Sequence, residues 1–434
     1  MWTAVSLLVG QVIAVGIFLT PAGMAKSVAS PFWLLIVWLV MGAMALCGAL
    51  CYGELAARFP AAGGSYVYLR EAFGAPVAFL YGWMVLLVLD PGLTAIFAVG
   101  LAAYVDYLHP LSPLGKQILA IAAILILAVI NILGARVGAN LLKTLTFLKV
   151  GTLSLIVVYG FVGGFGNWQN FAPFFARPPD VGGALAGGIV GAFFAFAGWW
   201  EVSRLAGEIE NPQRNLPRAL VFGVLALTLI YLATSAVFLY LVPLSHVTSD
   251  ETFAAQAGEA LFGAIGGQIF AIIVIVSVLG TLLAYLMASP RVYYAMAQDK
   301  LFFQSFARLH PRFGTPHRAT LVQFGLAAIL ILLGTFETIL SYFFFVVVLF
   351  IALTVAGLFK IRKQKFAGYQ TPFYPVTPII FLVLTALVLL LIGMRNPRQT
   401  ALGLAVVLAG LPVYYLVFKR REKPIDGVDQ NNSV

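Results

Sequence analysis

The chain has 434 residues, of which 62% are hydrophobic and 10% are charged, and its formal net charge is +10. This composition excludes a soluble globular protein, which typically carries about 25% charged residues. The mean hydropathy of +0.99 is typical of a membrane protein. The sequence contains no phosphate-binding loop, nucleophile elbow or metal-ligand cluster, so we expect neither an enzyme nor a cofactor or metal site.

Apolar runs long enough to cross about 30 Å of hydrocarbon recur along the whole chain. They predict an all-α membrane protein with about twelve transmembrane helices, numbered here as spans one to twelve. The predicted spans are 3–26, 31–56, 76–105, 117–135, 141–165, 183–204, 217–242, 264–296, 318–336, 338–359, 375–394 and 399–418. The first span lacks a preceding basic segment, which favours a retained helix over a cleaved signal peptide.

The first span contains residues that a regular helix avoids. Gly10, Gly16 and Pro21 lie within the stretch 9–21, and each weakens or ends a helix. Within a bilayer, backbone that has left its helical hydrogen bonds persists only where protein buries it or where it lines a cavity. The stretch therefore predicts a discontinuous helix built around a binding site.

The sixth span has the same feature, since glycines interrupt the stretch 187–201. Close helix packing would explain either segment alone. Interruptions at matching positions of two halves instead indicate the substrate site of a transporter. A broken helix exposes N–H groups that suit a carboxylate and carbonyl groups that suit an ammonium. The two breaks would thus fit a zwitterion, with an apolar side chain against Phe194 and Phe196.

Basic residues are distributed unevenly between the two sides of the predicted membrane. If the N-terminus is inside, the basic residues on the outside are Lys26, Lys116, Arg177, Arg395 and Arg398. Lys149 falls within the membrane, and the others, including those of 360–363 and 419–421, are cytoplasmic. We therefore predict cytoplasmic N- and C-termini. The net charge reflects this topology and an attraction to anionic lipid, and we predict no nucleic-acid partner.

The two cysteines, Cys47 and Cys51, lie one helical turn apart in the second span. A disulfide between such positions has poor geometry, and thiols within a bilayer are usually packing residues. No predicted extracellular loop contains a cysteine. We therefore predict no metal at this pair and no disulfide-linked partner subunit.

Several motifs together carry a family resemblance. In chain order they are 16–18 with Pro21, 52–55, 63–69, Asn131 with Gly134, Lys149, 194–199, 211–212 with 217–219, 290–297 and 410–415. Each is weak alone, but in this order, over nearly the whole chain, they resemble the amino acid–polyamine–organocation transporters. The resemblance is closest to bacterial relatives of the L-type and alanine-serine-cysteine exchangers.

The resemblance implies a five-plus-five inverted repeat followed by two further helices, within one multi-pass domain (1–434) of the plasma membrane. Residues 1–165 would form the first repeat, 183–360 the inverted second repeat, 375–418 the two extra helices and 419–434 a cytoplasmic tail. Such a fold alternates between inward- and outward-facing states.

The resemblance also implies the substrate-binding residues. Backbone of the first break would hold the carboxylate, and backbone of the second the amine; these residues are Ile13, Ala14, Val15, Gly16 and Ile17, then Phe194, Phe196, Ala197 and Gly198. Phe194 would close over the substrate as a gate, and Trp199 and Trp200 would line the pocket or pack beneath it. Relatives usually carry Gly-Ser-Gly at 14–16 and Gly-Gly-Trp-Asn at 197–200, where this chain differs.

Three ionisable residues lie within the predicted spans, namely Asp90, Lys149 and Glu201. Because charges within membranes usually serve function, we predict a coupling role for all three. Lys149 matches a lysine of sodium-independent relatives, which implies an ammonium between spans one and eight, near Ser277 or Gly280. The alternative is a lysine that snorkels to the cytoplasmic face.

Asp90 and Glu201 each have two interpretations. Asp90 precedes Pro91, which predicts a kink and a satisfied carboxylate; the functional alternative is a proton acceptor or a partner of Lys149. Glu201 lies below the break in span six. It would take a substrate or proton role, or would pair with Arg204 three residues later, near the membrane interface.

The sequence therefore predicts sodium-independent membrane transport of neutral amino acids by alternating access, as an exchanger or a facilitator. A proton-coupled symporter is the alternative that Lys149 and Asp90 suggest. A ligand-binding membrane sensor or partner subunit is a third possibility, suggested by the departures at Ala14, Val15 and Trp200. The expected partners are an amino acid and the lipid bilayer.

Overall fold

In the computed structural model the described residues form a bundle of helices. The residues that the structure describes are 2–13, 15–28, 30–61, 63–133, 135–176, 181–247, 253–334 and 336–419. No β-strand lies within these ranges, which confirms the predicted all-α fold.

The α-helices are α1 (Trp2–Val12), α2 (Val15–Val28), α3 (Pro31–Arg58), α4 (Ser65–Phe73), α5 (Ala75–Met84), α6 (Asp90–Leu108), α7 (Pro113–Leu133), α8 (Ala135–Val162), α9 (Val181–Phe196), α10 (Pro212–Leu241), α11 (Phe253–Phe262), α12 (Gly266–Ala288), α13 (Pro290–Gln298), α14 (His317–Leu333), α15 (Phe336–Ile361), α16 (Val376–Arg395), α17 (Pro397–Leu408) and α18 (Gly410–Val413). Five of them begin at a proline, because the first turn of a helix does not use that residue's N–H.

Ten stretches of the described chain are long and apolar enough to cross a membrane. The protein is therefore a multi-pass membrane protein. Helix α14 has only 17 residues, and α1 and α2 have 11 and 14, so neither of these two could cross alone. The predicted count of twelve spans would need α14 and the α1–α2 pair, and it stays a prediction.

The third predicted span is irregular where Asp90 and Pro91 follow one another. A π-helical turn, Val85–Leu89, separates α5 from α6, and the N–H of Asp90 bonds the carbonyl of Val85. Such a turn inserts one residue into the helix and is frequent at functional sites. The turn ends directly before Asp90 and Pro91.

The centre of the bundle is formed by the helices that carry the two interruptions. Helix α2 packs against α9, while α1 contacts α8, α10 and α12. In the apolar 18-residue window of the span containing α5 and α6, 89% of the residues are buried within the protein, against 28% in the window of α7. Exposed leucine and isoleucine side chains of the outer helices face the region where lipid would lie.

Candidate functional site

The first helix is interrupted as predicted. Helix α1 ends at Val12 and α2 begins at Val15, while Ala14 lies outside the described residues. The prediction that Pro21 helps to end the helix is wrong, because Pro21 lies inside α2. A proline there removes a single N–H donor from the second turn, which the rest of the helix tolerates.

A close contact between the backbones of α2 and α9 places this break next to the second one. A Cβ atom added to Gly16 would lie 2.7 Å from the Cα atom of Ala195, on α9. No side chain fits at such a distance, so Gly16 lets α2 and α9 touch directly.

The second break lies at Gly198, as predicted. Helix α9 ends at Phe196, and a 3-10 helix, Trp199–Glu208, follows. Gly198 has a φ angle of 102°, which glycine adopts with little strain and other residues do not. The carbonyl of Phe194 accepts from the N–H of Ala197 at 3.0 Å, which closes the last turn before the break.

A tyrosine that the sequence reasoning missed joins the two breaks. The hydroxyl of Tyr231, on α10, donates to the carbonyl of Ala195 at 2.8 Å. It also lies 3.3 Å from the carbonyl oxygen of Val12. One buried side chain therefore ties the end of α1 to the end of α9. Nothing in the seventh span distinguishes this tyrosine from an ordinary core residue.

A cavity lies between the breaks. Four of the predicted residues line it, namely Gly16, Phe194, Ala197 and Gly198. The remaining lining residues, which were not predicted, are Gln11, Val12, Leu93, Phe97 and Tyr285. Leu93 and Phe97 come from α6 and Tyr285 comes from α12, so helices distant in sequence complete the site.

Other predicted residues lie elsewhere. Ile13 and Ile17 are fully buried and do not line this cavity. Phe196, Trp199 and Trp200 line a separate apolar cavity, and the placement of the two tryptophans in or beneath the substrate pocket stays a prediction. The turn at Gly198 directs Trp199 toward α3, where a Cβ on Gly48 would lie 2.7 Å from its ring. The side chains of Ala14 and Val15 fall outside the described set.

The ammonium of Lys149 is hydrogen-bonded to backbone carbonyls at the first helix break. Its side chain is 3% exposed, so the snorkelling alternative is wrong. The ammonium donates to the carbonyls of Gly10 and Ile13 at 3.0 and 3.1 Å. It also donates to the hydroxyl of Thr281, on α12, at 2.5 Å. The ammonium thus lies between the first helix and α12, and its partner there is the residue after Gly280.

Asp90 is fully buried but does not contact Lys149, so their predicted pairing is wrong. Its carboxylate accepts hydrogen bonds from the hydroxyls of Tyr285, at 2.7 Å, and of Tyr293. The guanidinium of Arg204 approaches it at 3.3 Å. Asp90 is therefore a satisfied carboxylate, as one sequence interpretation expected, but its partners come from α12, α13 and the 3-10 helix.

Glu201 pairs with Arg204, as one interpretation predicted. The Oε2 atom of Glu201 lies 2.6 Å from Nε of Arg204. Both side chains are 1% exposed, so the pair is buried within the protein. Two carboxylates, those of Asp90 and Glu201, thus share one guanidinium. Because Tyr285 both lines the cavity and bonds Asp90, this cluster is joined directly to the candidate site.

A short loop and helix α4 pack against the same segment. A Cβ on Gly64 would lie 3.1 Å from the backbone nitrogen of Arg204. Tyr66 and Arg70, on α4, both donate to the carboxylate of Asp299 at 2.8 Å. Burial raises the pKa of the Tyr66 hydroxyl, so it remains a hydrogen-bond donor at neutral pH.

Metal chemistry has no support within the described ranges. No group of three or more histidine, cysteine, aspartate or glutamate side chains there could hold a metal ion. Cys47 and Cys51 both lie on α3 as free thiols.

Comparison with known proteins decides the family. The chain matches the amino acid permease family over residues 1–418. It belongs to this family. The match confirms the resemblance to amino acid–polyamine–organocation transporters and the expectation of a transporter that is not an enzyme.

Individual relatives agree with the family assignment. A serine/threonine exchanger of Bacillus subtilis is 30% identical over 424 residues, covering 96% of both chains. The Asc-type amino acid transporter 1 of Mus musculus is 29% identical and covers 97% of this chain and 81% of its own. The large neutral amino acids transporter small subunit 2 of Mus musculus is 30% identical, with the same coverage.

Proposed function

We propose that the protein transports neutral amino acids across the plasma membrane without sodium, by exchange or facilitated diffusion. The observation that carries this proposal is the cavity between two helix breaks, with Gly16 of α2 on one side and Ala197 and Gly198 after α9 on the other. The start of α2 offers N–H groups and the end of α9 offers carbonyl groups, and a zwitterion needs both.

The free backbone groups refine the proposed binding pose. The carbonyls of Phe194 and Ala195 already accept hydrogen bonds, from the Ala197 N–H and the Tyr231 hydroxyl. We therefore place the substrate amine at the carbonyls of Phe196 and Ala197, and its carboxylate at the N–H groups of residues 15–17. Phe194, which lines the cavity, would cover the bound amino acid.

A neutral substrate agrees with the cavity and with the relatives. The described residues that line the cavity include no ionisable group other than the hydroxyl of Tyr285. A substrate with a charged side chain would lack a counter-charge there, and an unpaired buried charge is costly. The similar proteins named above carry serine/threonine and large neutral amino acids in their names, which supports the same substrate class.

Sodium independence is supported by Lys149. The carbonyls of Gly10 and Ile13 and the hydroxyl of Thr281 are oxygen atoms of the kind that a hard cation binds. Lys149 donates to all three, so a fixed ammonium occupies their shared position. We propose that this bond holds the first break in place and changes as the protein changes conformation.

Proton coupling remains the alternative that a specific observation favours. Asp90 and Glu201 share the single guanidinium of Arg204 in a buried cluster, and one proton would balance its charge. An imposed proton gradient that raises uptake without internal amino acid would support a symporter with these residues as its proton site. Exchange that is indifferent to the gradient would support the main proposal.

We propose the five-plus-five repeat and the cytoplasmic location of both termini on related grounds. Spans that would be equivalent in the two halves pack against each other: spans one and six through α2 and α9, two and seven through α3 and α10, three and eight through α6 and α12, and four and nine through α7 and α14. The short helices α4 and α11 follow equivalent spans. The basic segments 360–363 and 419–421 support the orientation.

The zwitterion chemistry is tested by ligand-induced stabilisation of the purified protein. Alanine or serine should raise the unfolding temperature, by an amount that grows with the logarithm of the ligand concentration above Kd. Propionate and ethylamine each lack one charged group, so they should stabilise it far less at the same concentration. Equal stabilisation by the amine alone would contradict a two-ended backbone site.

A further inference from the structure

One polar side chain in the cavity wall has an unused hydrogen-bond donor. Gln11 lies in the last turn of α1 and is 8% exposed. Its amide nitrogen is buried and has no hydrogen-bond partner among the described residues. Buried donors of this kind are rare in proteins, because leaving one unpaired costs free energy.

The surroundings of Gln11 make this donor available to a ligand. The other side chains facing the same cavity from α1, α6 and α9 are apolar: Val12, Leu93, Phe97 and Phe194. Tyr285 also lines the cavity, but its hydroxyl donates to Asp90 at 2.7 Å. Gln11 is therefore the cavity side chain whose donor the protein itself leaves unused.

The remaining question is which part of a substrate this amide would meet. In the proposed pose the two charged ends of the amino acid bind backbone at the breaks, so the other lining groups are left for its side chain. A carboxamide has both a donor and an acceptor, and it can therefore bond a hydroxyl or another carboxamide. An aliphatic group offers the carboxamide no hydrogen-bond partner.

We propose that Gln11 recognises the substrate side chain, and that the site prefers neutral amino acids with a hydroxyl or carboxamide over aliphatic ones of the same size. This inference rests on the proposed transport of neutral amino acids. A site built to donate a hydrogen bond discriminates against an analogue without an acceptor, because the donor is then left unpaired.

Threonine and valine provide the test, since they have nearly the same shape and differ in the hydroxyl. Both compete for exchange of a labelled amino acid in proteoliposomes. The wild-type protein should prefer threonine by about three- to tenfold, which is typical of one neutral hydrogen bond. Gln11→Leu should remove this preference and should leave the inhibition by valine unchanged or stronger.

Two outcomes would overturn the inference. An unchanged threonine-to-valine ratio in Gln11→Leu would show that the amide does not read the side chain. An equal loss for both competitors would place the amide at the charged end of the substrate. Absence of exchange with every amino acid in the wild type would instead contradict the proposed function itself.

Controls separate recognition from folding. Gln268→Leu makes the same replacement at an exposed position of α12 and should leave the ratio at its wild-type value. Gln11→Met, which is close in volume, provides a second apolar variant. Both Gln11 variants should unfold at or above the wild-type temperature, because they remove an unpaired amide from an apolar wall.

Discussion

The ammonium of Lys149 lies 3.1 Å from the carbonyl oxygen of Ile13, at the point where the first helix is interrupted. In a continuous helix the carbonyl of Ile13 would accept from the N–H four residues later, but the chain leaves the helix at this point. The buried ammonium is the nearer donor to this carbonyl, and the hydroxyl of Thr281 lies 3.3 Å from it. The bond makes the geometry of the break depend on a residue of α8.

Replacing Lys149 should therefore disturb both folding and transport. Lys149→Met takes the ammonium away from the carbonyls of Gly10 and Ile13, and only Ile13 keeps another donor, the hydroxyl of Thr281 at 3.3 Å. An unsatisfied buried carbonyl costs about 1–3 kcal/mol. We expect a lower unfolding temperature and loss of most exchange activity. Lys363→Met, in an exposed loop, should change neither. Exchange of unaltered rate and pH dependence in Lys149→Met would contradict the coupling role.

The close approach at Gly16 gives a steric prediction. Gly16→Ala places a methyl group 2.7 Å from the Cα atom of Ala195, so α2 and α9 must separate. We expect a cost of about 1–3 kcal/mol in stability and a loss of substrate binding, measured by thermal shift.

The matched control is Gly325→Ala on α14, where the added Cβ meets nothing within 4 Å. That change should raise stability by about 0.5–1 kcal/mol, because alanine favours the helix. If both variants bound substrate alike, the contact between the two breaks would not be needed for the site.

The buried cluster predicts an unequal response to neutralising its members. Arg204→Met leaves the carboxylates of Asp90 and Glu201 without a counter-charge, which costs about 3–5 kcal/mol. Asp90→Asn leaves the pair of Glu201 and Arg204 intact and should cost less. Unfolding temperatures of the two variants measure the difference. Equal unfolding temperatures would show that the carboxylate of Glu201 adds no charge to the cluster, which a proton bound to it would explain.

The sequence predicted the breaks well and the cavity less well. Gly16 and Gly198 lie where the backbone geometry requires glycine, and a glycine within an apolar span can be recognised from the sequence. Gln11 and Tyr231 could not be recognised, because a lone polar residue in an apolar helix gives no periodic signal. Asp90 and Arg204 are 114 residues apart, and only the tertiary fold brings them together.

Topology is tested by proteolysis from each side of the membrane. Lys363 and Lys365 are exposed in the connection after α15, which the orientation places in the cytoplasm. Trypsin should cleave there in inverted vesicles and not in sealed right-side-out vesicles. Cleavage at these lysines in the right-side-out vesicles would show that the predicted orientation is wrong.

Counterflow in proteoliposomes tests the central claim, exchange of neutral amino acids, most directly. With no sodium and no proton gradient, vesicles loaded with unlabelled serine should accumulate labelled serine, and empty vesicles should not. Gly16→Ala should abolish this uptake. If serine, alanine and leucine all stabilise the protein but none enters the vesicles under any gradient, the protein is a ligand-binding sensor and the account of transport is contradicted.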